Sequence, residues 1–160
     1  MICPKCGKKM HLKNNTLNNI QFLGCSSFPH CRYTTEYIEP KDVISAITKV
    51  IDKYETDIRK KLKIPNFISV THDFETEIKE AATCSRISQR EFKFNWNTEL
   101  KRSTLAKIVI ELAHEYRHVY QMYFDTIDTE YDTTINWKLR LHEIDANEFA
   151  YQYLDDIIIG

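Results

Sequence analysis

Between Thr104 and Phe124 the apolar side chains Leu105, Ile108, Val109, Leu112, Tyr116, Val119, Tyr120 and Tyr123 recur at three- and four-residue steps. No Gly or Pro interrupts them, and the spacing predicts a helix. A second stripe, Val43, Ile44, Ile47, Val50, Ile51, Tyr54, Ile58 and Leu62, predicts a packing helix from about Pro40 to Leu62. Pro40 suits a first helical turn, and Ile64-Pro65 ends the run. A third helix is predicted over Trp137 to Asp156. Between the first and second helical patterns the period changes. Phe67 to Val70 reads as strand, and Phe74, Thr76 and Ile78 alternate with acids. Ala81 to Ile87 and Glu91 to Trp96 form a predicted hairpin across Ser88-Gln89-Arg90. In its second arm Phe92, Phe94 and Trp96 face one way, Lys93 and Asn95 the other, as in a half-buried strand. The fold class is α+β: three main helices and a small antiparallel or mixed sheet.

The 104–124 helix carries His114-Glu115-Tyr116-Arg117-His118, an H-E-x-x-H. At about 100° per residue the two histidines leave the same face one turn apart, within roughly 40° of each other. Leu105, Val109 and Leu112 lie roughly 140–180° away. One side of the helix can be core while the other presents two imidazole nitrogens. Glu115, rotated about 100° from His114, reaches a metal-bound water without being a ligand. This is the layout of a zinc hydrolase helix. The strand before it would then be a substrate-holding edge or an ordinary edge or core strand.

A catalytic zinc needs a third protein ligand and an open position. Downstream, Glu143 and Asn147 stand one turn apart, and Ala146 and Ala150 share their face, where small side chains permit close helix approach. Asp145 and His142 are alternative third ligands. His142 is about 100° from Glu143, so the two cannot easily face one metal. The acidic stretch Asp125, Asp128, Glu130 and Asp132 lacks the spacing of a calcium loop and reads as a solvated connector. Tyr123, Tyr131, Arg140 and His142 are candidates to bind the oxyanion.

The chain has 160 residues, room for one core and a small module. Its net charge of −1 divides into +5 over residues 1–35, which hold no acid, and −6 over the rest. No run is long and apolar enough to span a membrane, and no secretory h-region is present at the N-terminus; a cytoplasmic protein is expected. Of five cysteines, Cys3, Cys6, Cys25 and Cys31 cluster at the start and Cys84 stands alone, as a small buried hydrophobe. Four thiolates in C-x2-C and C-x5-C pairs suit a tetrahedral structural zinc. His30 is an adjacent, surface residue, and His72 has no evident partner. Domains are expected at 1–36 and 37–160.

Two resemblances follow from these residues. CPKCGKKM with FLGCSSFPHCRYT resembles the four-cysteine zinc finger repeated at the C-terminus of bacterial type IA DNA topoisomerases. That implies a small β-ribbon that binds single-stranded DNA through Phe22, Phe28, Tyr33, Lys8, Lys9, Lys13 and Arg32. The middle, NNTLNNIQ, is less basic than is usual there. ELAHEYRHVYQ paired with HEIDANEFAYQYL resembles the ImmA/IrrE metallopeptidases, gluzincin-type zincins whose second motif runs roughly E-x-E-A-N/D-x-F-A. By that resemblance His114, His118 and Glu143 bind a catalytic zinc, Glu115 is the base, and Asn147 supports a ligand histidine. Asp145 replaces a frequent Glu, and the usual L-L-M-P is absent. Together they imply a two-zinc metallopeptidase directed to nucleic acid or to a DNA-bound protein, such as a repressor or, as in SprT-like proteases, a DNA–protein adduct. The alternative is a non-catalytic two-zinc nucleic-acid-binding regulator.

Overall fold

In the computed structural model, residues 1–18, 20–37, 42–99, 104–126 and 140–159 are described. The N-terminal ribbon is an antiparallel sheet of β1 (Met10–Asn14), β2 (Gln21–Cys25) and β3 (Thr34–Glu36), in that order. It sets Met10 opposite Cys25 and Phe22 opposite Glu36. An isolated bridge joins Ile2 to Lys9 across the first cysteine pair.

The remainder begins with helix α1 (Val43–Lys61), followed by β4 (Ser69–Glu75), β5 (Ala82–Arg86) and β6 (Glu91–Asn97), then α2 (Leu105–Phe124) and α3 (Leu141–Ile159). The protein is therefore α+β with a small N-terminal β-ribbon. The start expected for α1 at Pro40 and the start expected for α3 at Trp137 lie outside the described residues. So do Tyr131 and the acids Asp128, Glu130 and Asp132. Among the described residues no helix is long and apolar enough to cross a membrane.

The hairpin forms over the expected arms, but the sheet order is β4-β6-β5. β6 is central, parallel to β4 and antiparallel to β5. This removes β6 as an edge, while its half-buried alternation stands, with Lys93 and Asn95 only partly covered. Phe92, Phe94 and Trp96 are buried, packed on the inner face of the sheet, and the strand has a neighbour on either side. The earlier strand also starts later than expected. Phe67 stays outside β4 and exposed, stacked edge-on against Tyr123 with the Arg90 guanidinium over its ring.

Helix α2 is the central element, packed against α1, β5 and α3. Its two-sided amphipathic reading needs revision. Ala106, Ile108, Val109, Ile110, Leu112, Ala113, Tyr116 and Val119 are buried almost all the way round, as expected of a helix covered on several sides. Thr104 caps it, with Oγ1 accepting from the Lys107 amide at 3.1 Å. Asp125 ends it in the left-handed region at φ 52, which Asp tolerates better than most residues. The fully buried Ala146 and Ala150 let α3 lie close against α2.

His72, expected to stand alone, joins a polar network under this layer. Trp96 Nε1 donates to His72 Nδ1 at 3.1 Å, so the ring carries its proton on Nε2 and donates to Glu55 Oε1 at 2.9 Å. The Tyr116 hydroxyl donates to the same oxygen. Burial opposes ionisation of Glu55, but these donors prevail and hold its carboxyl below the usual range. The partners come from α1, β6 and α2, far apart in sequence.

Candidate metal centres and nucleic-acid face

The first centre is built by the knuckle Cys3-Pro4-Lys5-Cys6-Gly7, by Cys25 at the end of β2 and by Cys31 in the β2–β3 connection. The Gly7 amide donates to Cys3 O at 2.9 Å with φ +70, a conformation glycine adopts without strain. The chain thereby folds back so that both thiols face inward. The Sγ atoms of Cys3 and Cys31 are 3.7 Å apart, and those of Cys6 and Cys25 are 3.3 Å apart. All four sulfurs lie within 4.8 Å of one another. A tetrahedron with zinc–sulfur bonds of about 2.3 Å has edges of about 3.8 Å, so this donor set fits zinc. The metal-free thiols are uneven. Burial pushes Cys3 up to about 12, and the Lys8 backbone amide draws Cys6 down to about 7.

The residues expected to meet nucleic acid divide into three groups. Lys13, Phe22, Phe28 and Arg32 line one cleft of about 240 Å³ beside the cysteines. Phe28 is 63% exposed, with the Lys13 ammonium 5.6 Å from its ring centre. A Cβ at position 24 would come within 3.1 Å of the Lys13 stem, so Gly24 keeps that lysine's path across β2 open. Tyr33 also lines the cleft, but it belongs to the ribbon's buried core, and burial raises its phenol to about 12. It is therefore poorly placed as an open stacking platform. Lys8 and Lys9 are exposed on the knuckle, outside the cleft.

The second centre joins α2 to the first turn of α3. His114 Nε2 and His118 Nε2 are 3.0 Å apart. Glu143 Oε2 is 3.2 Å from His114 Nε2, and Glu143 Oε1 is 3.6 Å from His118 Nε2. A tetrahedral zinc with ligand bonds of about 2.0–2.1 Å needs edges of about 3.3–3.4 Å, so these separations fit. The outer nitrogens point to carboxamides: His114 Nδ1 donates to Asn147 Oδ1 at 3.0 Å, and His118 Nδ1 donates to Gln121 Oε1 at 2.8 Å. Each ring then turns an Nε2 lone pair inward, toward the other ring and toward a carboxylate. Three electron-pair donors converge there, and their mutual repulsion is relieved only by a cation or a shared proton.

The local electrostatics express the same demand. Burial raises the Glu143 carboxyl, yet the two histidines outweigh it and hold the group well below the usual carboxylate range. Burial lowers His118, but Glu143 and Glu115 reverse this and raise it. Glu115, buried beside the pair, is raised mainly by desolvation. Of the two alternative third ligands, His142 lies against Glu143 Oε1 at 3.4 Å without joining the converging set. Asp145 points elsewhere, clamped by Arg117 Nε at 2.7 Å and Nη2 at 3.0 Å. Of the oxyanion candidates, Tyr123 packs with Phe67 and Phe124, and His142 lies against a carboxylate oxygen of Glu143. Cys84 is only partly buried; it lies opposite Phe94 on β5, and burial together with the Glu115 charge raises its thiol.

Gln121 was absent from the sequence-derived site. Its signal was present as H-E-x-x-H-x-x-Q, three residues beyond His118 on the same helical face.

Comparison with known proteins matches residues 1–39 to the topoisomerase DNA binding C4 zinc finger. DNA topoisomerase 1 of Methanocaldococcus jannaschii is 49% identical over 43 residues, which are 27% of this chain and 5% of that protein. The likeness thus concerns the ribbon and a small fraction of the relative's length. No solved structure matches the chain. The four cysteines form a zinc-binding site of the topoisomerase type.

Proposed function

We propose that this chain is a zinc-dependent metallopeptidase of ImmA/IrrE-like type, brought to nucleic acid or to DNA-bound protein by its N-terminal ribbon. The observation that carries the reading is the convergence of His114, His118 and Glu143, with an outer carboxamide holding each histidine. Bound there, zinc would supply a Lewis acid and lower the pKa of a water toward about 7. Glu115, held beside the site with a raised carboxyl, would accept a proton from an attacking water as the water oxygen adds to the peptide carbonyl. It then returns the proton to the departing amine. His142, with Nε2 3.4 Å from Glu143 Oε1, is the candidate donor to the carbonyl oxygen. The carboxamides of Asn147 and Gln121 keep both rings in the tautomer that a metal requires.

Zinc counting tests the site. Wild-type protein is expected to hold two zincs by elemental analysis, and His118→Ala one, with cleavage of an unfolded protein substrate lost in the variant. A single zinc that His118→Ala leaves in place would leave only the ribbon centre and remove the peptidase reading.

The ribbon's part rests on the C4 finger likeness and on the cleft that combines Phe22 and Phe28 with Lys13 and Arg32. Stacking plus backbone charge gives sequence-tolerant single-strand binding. Four zinc-bound thiolates reduce the module's +5 to about +3, still cationic. Phe28→Ala is expected to weaken binding of a single-stranded oligonucleotide by about 5- to 100-fold. Fluorescence anisotropy checks this, and an unchanged affinity would count against the cleft.

A further inference from the structure

Gln121 is almost fully buried, and both N–H donors of its amide are committed. Its Oε1 accepts from His118 Nδ1 at 2.8 Å. Its Nε2 donates to the backbone oxygen of His142 at 2.9 Å and to Asp145 Oδ2 at 2.7 Å. His142 and Asp145 lie on either side of Glu143 in the chain. Asp145 is itself fixed by two hydrogen bonds from Arg117, which sits on α2 beside His118. One amide therefore contacts a histidine on α2 and grips α3 at two points around the carboxylate that completes the triad.

We infer that Gln121 is the positioning residue that assembles this metal site, setting the His118 ring and the placement of Glu143 together. The inference rests on the reading of His114, His118 and Glu143 as a metal centre. It separates the two supporting carboxamides. Of the three ligands, Asn147 is hydrogen-bonded to His114, so losing it loosens one. Losing Gln121 loosens two, on different helices. It also gives Arg117 and Asp145 a purpose: they make the carboxylate that orients the Gln121 amide immobile, and the amide then cannot turn its nitrogen toward His118.

The test compares full-length wild type, Asn147→Leu, Gln121→Met, Gln121→Glu and the double variant Gln121→Glu/Asp145→Asn. Zinc affinity is measured by chelator competition, the relevant zinc being the one that His118→Ala removes. Gln121→Met is expected to lose about 10- to 100-fold in affinity, the range for removal of an outer support, and to lose more than Asn147→Leu. Gln121→Glu retains an acceptor for His118 but sets a carboxylate against Asp145, and should be as weak. Exchanging Asp145 for Asn removes that repulsion and should recover most of the loss. This rescue keeps the test decisive if Gln121→Met folds poorly. Nitrogen NMR of the metal-free chain, recorded at a pH high enough to keep the ring neutral, adds a readout independent of zinc: His118 should be a single Nδ1–H tautomer in wild type and a mixture in Gln121→Met. Unchanged zinc affinity and an unchanged tautomer in Gln121→Met, in a wild type that holds both zincs, would overturn the inference while leaving the site reading intact. A wild type with no zinc dependent on His118 would instead overturn the site reading, and this one with it.

Discussion

Replacing Cys3 with serine is expected to release one zinc per chain and unfold the ribbon, while α1, α2 and α3 stay helical. The ribbon has little else to hold it. Its buried apolar residues outside the cysteines are Met10, Leu23 and Tyr33, and Leu12, Leu17, Ile20 and Phe28 are exposed. Three strands of three to five residues cannot offset the entropy of ordering the chain from such a core. Zinc can: apparent binding free energies in small structural zinc modules are about 10–16 kcal/mol near neutral pH. Cys3 is buried and its Sγ lies 3.7 Å from Cys31, so serine there leaves three sulfurs and a weak oxygen ligand. Elemental analysis should show the missing zinc, and amide NMR should show collapse of dispersion for residues 1–37 alone. A ribbon that keeps its dispersion without the metal would place its stability elsewhere. Acid should act in the same direction as the mutation, because thiolates must bind protons before zinc leaves. Stability of the ribbon is therefore expected to fall as pH falls.

What could be read from the chain, and what could not, follows the range of the interactions. Both metal centres are short-range objects in sequence. C-x2-C with Gly7 is a local turn, and His114 with His118 is one helical turn. Glu143 and Asn147 were found because they repeat that one-turn spacing on a helix whose small residues Ala146 and Ala150 face the same way. The contacts that tie helices together left weaker marks. Gln121 reaches His142 and Asp145, and Arg117 reaches Asp145, across 21 to 28 residues. Nothing local says that Asp145 will serve an arginine instead of a metal. His72 finds Glu55 and Trp96 at distances of 17 and 24 residues, and the periodicity of β4 is silent on that. Strand order was out of reach for a related reason. Phe92, Phe94 and Trp96 define the inner face of β6 whether it is central or at an edge, and only the parallel pairing with β4 makes it central. Tyr33 shows the limit of reading chemistry from residue type: an aromatic in a zinc ribbon can stack on a base or fill the core, and here it mainly fills the core.

The largest expected effect in the second centre is that of Glu115→Gln. The substitution keeps the size of the side chain and a hydrogen-bonding oxygen, but removes the group that accepts and returns the proton. If the peptidase reading holds, turnover of an unfolded protein substrate should drop by about 10²- to 10⁴-fold, the usual contribution of a positioned acid–base group. The zinc count should stay at two, because Glu115 is outside the set of converging ligand atoms. With the second centre stripped of metal, stability should hold or rise slightly. Burial raises the Glu115 carboxyl above its ordinary value, so its ionised form is disfavoured in the folded chain, and a neutral amide avoids that cost. The sign with pH follows: a raised carboxyl destabilises the fold above its unfolded-state pKa, so the stability difference between variant and wild type should widen with rising pH through the carboxylate range. The variant should also bind a protein substrate that it can no longer cut, which makes it the reagent for capturing that substrate on single-stranded DNA. Full activity in Glu115→Gln with zinc retained would assign the proton transfer to another group and remove Glu115 from the mechanism. Equal inactivity in wild type and variant, with two zincs in each, would leave a metal-holding regulator in place of a peptidase.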